Sequence, residues 1–161
     1  MYAPTVDVTY RWAPFGDLDL IDLHDALALR ARVFVVEQDC AYADVDGLDP
    51  EAWHLLGRAD GELVAYLRAF PPASQRAETV IGRVVTGPRR AGLGTALMEE
   101  GLRRAASTWG DHPSWLSAQA HLAPWYGRLG FDVCGPGYDE DGIPHVPMRR
   151  AGGLASPRRW P

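Results

Sequence analysis

The sequence predicts an α/β fold in one domain, a single sheet carrying helices on its faces. Three observations predict it. Apolar residues alternate, or fill both faces, in short runs near 6–12, 53–69, 79–86, 114–119, 131–134 and 145–149. Between them, apolar residues recur at helical spacing near 20–35, 93–105 and 121–129. No repeat or linker divides the 161 residues, so the interleaved elements share one core.

Taken in order, Val6, Val8, Tyr10 and Trp12 alternate with polar or small residues and form a strand that stops near Pro14. A helix follows, capped by Asp17 or Asp19, with Leu20, Leu23, Leu27 and Ala31 inward, Phe34 and Val35 continuing the stripe, and Asp22, Asp25 and Arg32 facing solvent. Periodicity then lapses from Glu37 to Glu51, where Asp39, Asp44, Asp46 and Asp49 gather around Gly47 and Pro50 in a long loop. Trp53, Leu55 and Gly57 open a hairpin that turns at Ala59-Asp60-Gly61-Glu62 and returns through Leu63 to Ala69. Thr79 to Thr86 is apolar on both faces, as in a central strand covered by helices, and ends at Pro88. Leu93, Ala96, Leu97, Gly101 and Ala105 mark the inner face of the next helix. A strand at 114–119, a helix at 121–129 stopped by Gly130, and two strands joined by a Gly-, Pro- and acid-rich loop complete the domain, residues 1–150. The tail, 151–161, has little to bury and is expected to be mobile.

Composition excludes several classes. A net charge of −5 provides no general basic face for nucleic acid. No apolar run approaches the ~18 residues of a membrane span, and the first residues lack a signal-peptide pattern, so a cytoplasmic protein without a membrane partner is expected. Cys40 and Cys134 have no metal or redox spacing and read as two buried free thiols. No metal site is expected: Asp44-Val45-Asp46-Gly47 lacks the later glycine and glutamate of a calcium loop, since Asp49 and Leu55 stand there. Monomer and homodimer both remain open.

The segment Arg89-Arg90-Ala91-Gly92-Leu93-Gly94-Thr95 lies between a strand and a helix. Backbone N–H groups converging at a helix start bind phosphate, and glycines keep Cβ atoms out of the anion's way. Thr95-Ala96 after Gly94 lacks the lysine of a nucleotide-hydrolysing loop, and Leu97 replaces the third small residue of a dinucleotide fingerprint. By themselves these residues define a site for a phosphate-sized anion, with helix packing as the alternative reason for the glycines.

The spacing Arg89-x-x-Gly92-x-Gly94 after a strand resembles the Q/R-x-x-G-x-G/A motif of the GNAT N-acetyltransferases. Ala31-Arg32-Val33-Phe34-Val35-Val36-Glu37-Gln38, Asp46-Gly47-Leu48-Asp49, Ala118-Gln119-Ala120-His121-Leu122 and Asp141-Gly142-Ile143-Pro144-His145-Val146-Pro147-Met148-Arg149 resemble the ElaA-type branch of that family. The resemblance spans about Leu18 to Arg150. It implies a mixed, mostly antiparallel sheet of six to seven strands with helices on both faces. It also implies acetyl-CoA as co-substrate: pantetheine along Val84, Val85 and Thr86, and pyrophosphate on the N–H groups of Arg89, Arg90, Ala91, Gly92, Leu93, Gly94 and Thr95. Gln119 stands where the family often has Asn, seven residues before Tyr126, whose implied role is to bond the sulfur and protonate the departing thiolate.

Acetyl transfer to an amine needs a neutral nucleophile, and holding a lysine-like amine neutral at pH 7 costs roughly 4.6 kcal/mol. A general base therefore matters more than the acid. Glu37 and His145 rank first for this role, ahead of His54 and His121, because both lie in ElaA-type segments beside the loops that admit acceptors. Asp39, Asp44, Asp46, Asp49 and Glu51 in one loop and Asp139, Glu140 and Asp141 in another share a sign. If both border the acceptor mouth they would draw a cationic amine, such as a lysine side chain, a polyamine or an amino-sugar. A non-catalytic acyl-CoA sensor or partner-binding domain with the same fold is the alternative function.

Overall fold

The computed structural model describes residues 7–87 and 92–153. Its strands are β1 (Thr9–Pro14), β2 (Trp53–Ala59), β3 (Glu62–Phe70), β4 (Thr79–Thr86), β5 (Ser114–Gln119), β6 (Asp132–Val133), β7 (Tyr138–Glu140) and β8 (Ile143–Arg150). The helices are α1 (Leu20–Arg30), α2 (Leu93–Trp109) and α3 (Ala123–Arg128). Sheet order is β1-β2-β3-β4-β5-β8-β6, with β7 also paired to β8. Every pairing is antiparallel except β4 with β5.

The sheet thus has the mixed, mostly antiparallel character expected, with one strand more than six to seven among the described residues. The addition is β7, in the stretch read as a loop. Asp141 (φ 52°) and Gly142 (φ 82°) both adopt left-handed backbone, the turn that suits strand twist, and they fold Tyr138–Glu140 back onto β8. The hairpin of β2 and β3 turns in the same way at Asp60 (φ 51°) and Gly61 (φ 82°).

Side chains alternate across the sheet and feed two cores. Leu55, Leu67 and Ile81 pack under α2 and α3 with Leu97, Met98, Tyr126 and Phe131. Leu56, Tyr66 and Val85 pack on the other face under α1, with Ala26 and Leu29. Gly101 is required at the first interface because a Cβ there would come within 2.8 Å of Leu67.

Helix α1 departs from its expected orientation. Asp19 is its cap, accepting from the Asp22 N–H at 2.8 Å, but the buried residues are Asp22, Ala26, Leu29 and Arg30, and Leu20 is 84% exposed. Asp22 is turned inward, not to solvent, because Arg11 of β1 and Arg58 of β2 both bond its carboxylate. Apolar periodicity misplaces a helix whose inner face contains paired charges. Beyond Arg30 the chain widens into a π-helical turn, Ala31–Glu37, in which the N–H groups of Gln38 and Cys40 reach back five residues to Val33 and Val35. Both cysteines are free. Cys40 is buried as expected and Cys134, on the short edge after β6, is exposed.

Candidate functional site

The parallel partners β4 and β5 make only two pairs, Thr79 with Ser114 and Val80 with Trp115. Beyond Val80 they diverge, so the β5-facing edge of β4 has no strand partner through Thr86. A bulge adds to the divergence. Tyr66 and Arg68 of β3 face Val85 and Gly82, so three steps of β4 oppose two of β3, and Arg83 in the excess takes φ 52°. Between the diverging strands lies a cleft of about 930 Å³.

Val84, Val85 and Thr86 line this cleft. Gly92, Leu93, Gly94 and Thr95 form the start of α2, and Arg89, Arg90 and Ala91 lie outside the described residues. The two glycines serve different ends. Gly92 adopts φ 81° with open space where a Cβ would stand. At Gly94 a Cβ would lie 3.2 Å from the Trp125 ring, so this glycine lets Trp125 pack against the start of α2. Thr95 Oγ1 accepts the Trp125 indole N–H at 3.3 Å, which ties α3 to the start of α2. The first N–H groups of α2 have no partner within the helix.

That tie places Tyr126. It is 6% exposed, its ring packs edge-on to Trp125 (4.7 Å) and Phe131 (6.1 Å), and it lines the cleft through the gap between β4 and β5. Its hydroxyl has no hydrogen-bond partner among the described residues. Burial pushes its pKa up to about 12, so it stands in the cleft as a neutral phenol at pH 7.

Opposite, Gln119 donates to Gln38 Oε1 at 3.1 Å and joins β5 to the turn that carries Glu37, itself an exposed lining residue. His145 pairs with Gln119 across β5 and β8 and is 9% exposed. Its Nδ1 lies 2.7 Å from the Ile143 carbonyl, so Nδ1 holds the proton and a neutral ring has its lone pair on Nε2. Nε2 lies 3.3 Å from Glu140, and Tyr138 stacks on the ring. Ser117 Oγ is hydrogen-bonded to the Tyr138 hydroxyl. His121 also lines the cleft. His54 does not: it is 1% exposed, 2.7 Å from the Tyr66 hydroxyl and 3.0 Å from the Asp49 carbonyl, and burial lowers its pKa.

Asp44, Asp46 and Asp49 of the loop do not present a free negative field. Arg30 meets Asp44 at 2.9 Å and Asp49 at 2.8 Å, and Arg68 meets Asp46 at 2.6 Å and Asp49 at 2.8 Å. Arg83 bonds the Asp44 carbonyl at 3.0 Å and places Nε 2.8 Å from its carboxylate, off the line of a hydrogen bond. Hydrogen bonds from Arg68 dominate at Asp46 and hold its pKa low. Burial pushes Asp49 up, and Arg30 and Arg68 outweigh it. These arginines, with Ser117 and Tyr138, escaped sequence reasoning. The signal available for the last was the Asp141-Gly142 turn, which makes Tyr138 a strand residue opposite His145.

The family model described as an acetyltransferase (GNAT) domain matches residues 25–151. Protein ElaA of Escherichia coli is 41% identical over 139 residues, covering 84% of this chain and 91% of that protein. A UPF0039 protein of Schizosaccharomyces pombe is 44% identical over 148 residues, 89% of this chain and 96% of that one. Among solved structures, an acyl-CoA N-acyltransferase from Pseudomonas aeruginosa superposes with a TM-score of 0.86 at 47% identity, over 90% of this chain and all (100%) of that chain. Escherichia coli ElaA superposes at 0.82 and 38% identity, over 89% and 99%. The diverging β4 and β5, the glycine turn before α2 and these likenesses agree: the chain belongs to the GNAT acetyltransferase family, in its ElaA-type branch.

Proposed function

We propose that the protein moves the acetyl group of acetyl-CoA to an amine by direct attack, both substrates being bound together. One observation carries the reading: a proton donor, Tyr126, and a proton acceptor, His145 Nε2, line one cleft along which the β5-facing edge of β4 has no strand partner beyond Val80. The site fits the co-substrate. The open edge of Val84 to Thr86 would hold the pantetheine arm, and the start of α2, with open space at Gly92, would hold the pyrophosphate. Acetyl-CoA, when bound, supplies a thioester carbonyl and a thiol leaving group.

The chain's own groups do the rest. His145 takes the amine's proton at Nε2, held in that tautomer by the Ile143 carbonyl, and Glu140 beside it stabilises the imidazolium that results. Glu37, exposed at the mouth, attracts the incoming ammonium form. Tyr126 gives its proton to the leaving sulfur; burial keeps it a neutral phenol and makes it a weaker acid than a free tyrosine.

Release of free thiol from acetyl-CoA in the presence of amines tests the reading. Tyr126→Phe and His145→Gln are each expected to lower kcat by roughly 10²–10⁴-fold, the range of one general acid or base. Glu37→Gln should raise KM with little change in kcat. Tight binding of acetyl-CoA without amine-dependent thiol release would favour a non-catalytic acyl-CoA-binding domain.

A further inference from the structure

We infer that the acceptor is an elongated amino-carboxylate, its amine at His145 and its carboxylate at Arg76, an inference that rests on the amine-acetylating reading above. Charge along the cleft carries it. In the middle, Arg30, Arg68 and Arg83 are matched by Asp44, Asp46 and Asp49, so that stretch has no net field. The two ends differ in sign.

At one end the Arg76 guanidinium lies 4.3 Å over the Trp115 ring. Among the described residues its one ion-pair contact is Glu78 at 3.7 Å, and Glu78 is shared with Arg149 at 3.2 Å, two arginines to one carboxylate. Arg76 makes no side-chain hydrogen bond among the described residues and is half exposed. A guanidinium stacked on an indole keeps its edge N–H groups in plane and available for a bidentate carboxylate. At the other end Glu37, Glu140 and Asp141 line the cleft beside His121 and His145, with no arginine or lysine among the described lining residues there.

The separation sets the ligand's length. Trp115, Ser117 and Gln119 alternate onto the cleft face of β5, and Gln119 pairs with His145. Four residues of strand span ~13 Å. Arg76 and His145 both reach into the cleft from the ends of that span, so the acceptor must carry its two charged groups far apart, as lysine or a dipeptide does. A polyamine would bring a second cation against Arg76. Of the cationic acceptors expected from the sequence, the lysine-like kind is kept and the polyamine disfavoured.

The test is a set of matched acceptor pairs in the thiol-release assay: lysine against cadaverine and lysinamide, and glycylglycine against glycylglycinamide. The carboxylate member of each pair should show kcat/KM higher by roughly ten- to a hundredfold, mostly through KM, the scale of a hydrogen bond to a charged group. Arg76→Met should bring each ratio close to one, and Arg76→Lys should retain part of it. Preference within the lysine set or the dipeptide set separates the two sources of the shared chemistry. Equal turnover within pairs by the unaltered protein, or a ratio that survives Arg76→Met, overturns the inference. If no amine releases thiol, the acetylation reading fails instead. Calorimetric binding of the same pairs then decides the carboxylate site, equal affinities counting against it.

Discussion

The two faces of the sheet are held by different physics. Under α2 and α3 the contact is apolar: Leu97 and Met98 are fully buried, and Gly101 lets α2 approach Leu67. Under α1 and the acidic loop, a smaller apolar cluster is flanked by buried ions, with Arg30 1% exposed between Asp44 and Asp49. Apolar packing is non-directional and supplies most of the stability. Ion pairs are directional. A buried pair is a weak source of net stability but a demanding one geometrically, and here the pairs fix the loop that walls one side of the cleft.

The largest effects should come from setting these faces against each other. Arg30→Met leaves two buried carboxylates short of a partner and should cost about 3–5 kcal/mol. Leu97→Ala, a cavity on the apolar face, should cost about 2–5 kcal/mol. Urea denaturation with a second substitution separates them. Asp49→Asn should recover part of the Arg30→Met loss by removing an unmatched charge, and should add to the Leu97→Ala loss. Additive losses in both backgrounds would mean that the charged face is not a coupled unit.

Acid should weaken one face before the other. Asp46 and Asp49 have folded pKa values below the ordinary carboxylate range, so in acid the unfolded chain takes up protons first. Their contribution is fully present above an unfolded pKa of about 3.9 and is lost as pH falls from there through the depressed folded values. Stability measured from pH 6 to pH 2 should fall in that window, and Asp46→Asn should flatten the fall. An unchanged slope in Asp46→Asn would remove Asp46 as a source of the acid sensitivity.

What was legible in the sequence divides along the same line. The strands, the turn at Asp60-Gly61 and the inner face of α2 follow from local pattern, because apolar burial leaves a period behind. The inward turn of Asp22 and the neutralised loop aspartates do not, because their partners are distant in sequence: Arg58 lies 36 residues from Asp22, and Arg83 lies 39 from Asp44. The same limit hid the link between Ser117 and Tyr138, and the contact between Gly94 and Trp125, 31 positions on. Tyr126 and His145 were reachable only through the resemblance, since neither stands in a local pattern that specifies chemistry.

The smallest effect is the most informative about the cleft, because it concerns the point where the charged face meets the open edge of β4. Arg83 sits in the β4 bulge with left-handed backbone, a conformation costing roughly 1–2 kcal/mol for a residue with a Cβ. Its guanidinium, held by Asp44 and Asp46 and lying over Tyr42, offsets that cost. Arg83→Ala removes the side-chain contacts and keeps the backbone cost; Arg83→Gly removes both. Arg83→Gly should therefore be the more stable of the two by about 1 kcal/mol. Activity should rank the other way. A glycine frees the bulge that sets the open edge of Val84 to Thr86, so kcat should fall further in Arg83→Gly than in Arg83→Ala while the melting temperature is higher. Parallel changes in the two quantities would mean that the bulge contributes only to stability, and that the acidic loop does not act through Arg83 on the cleft.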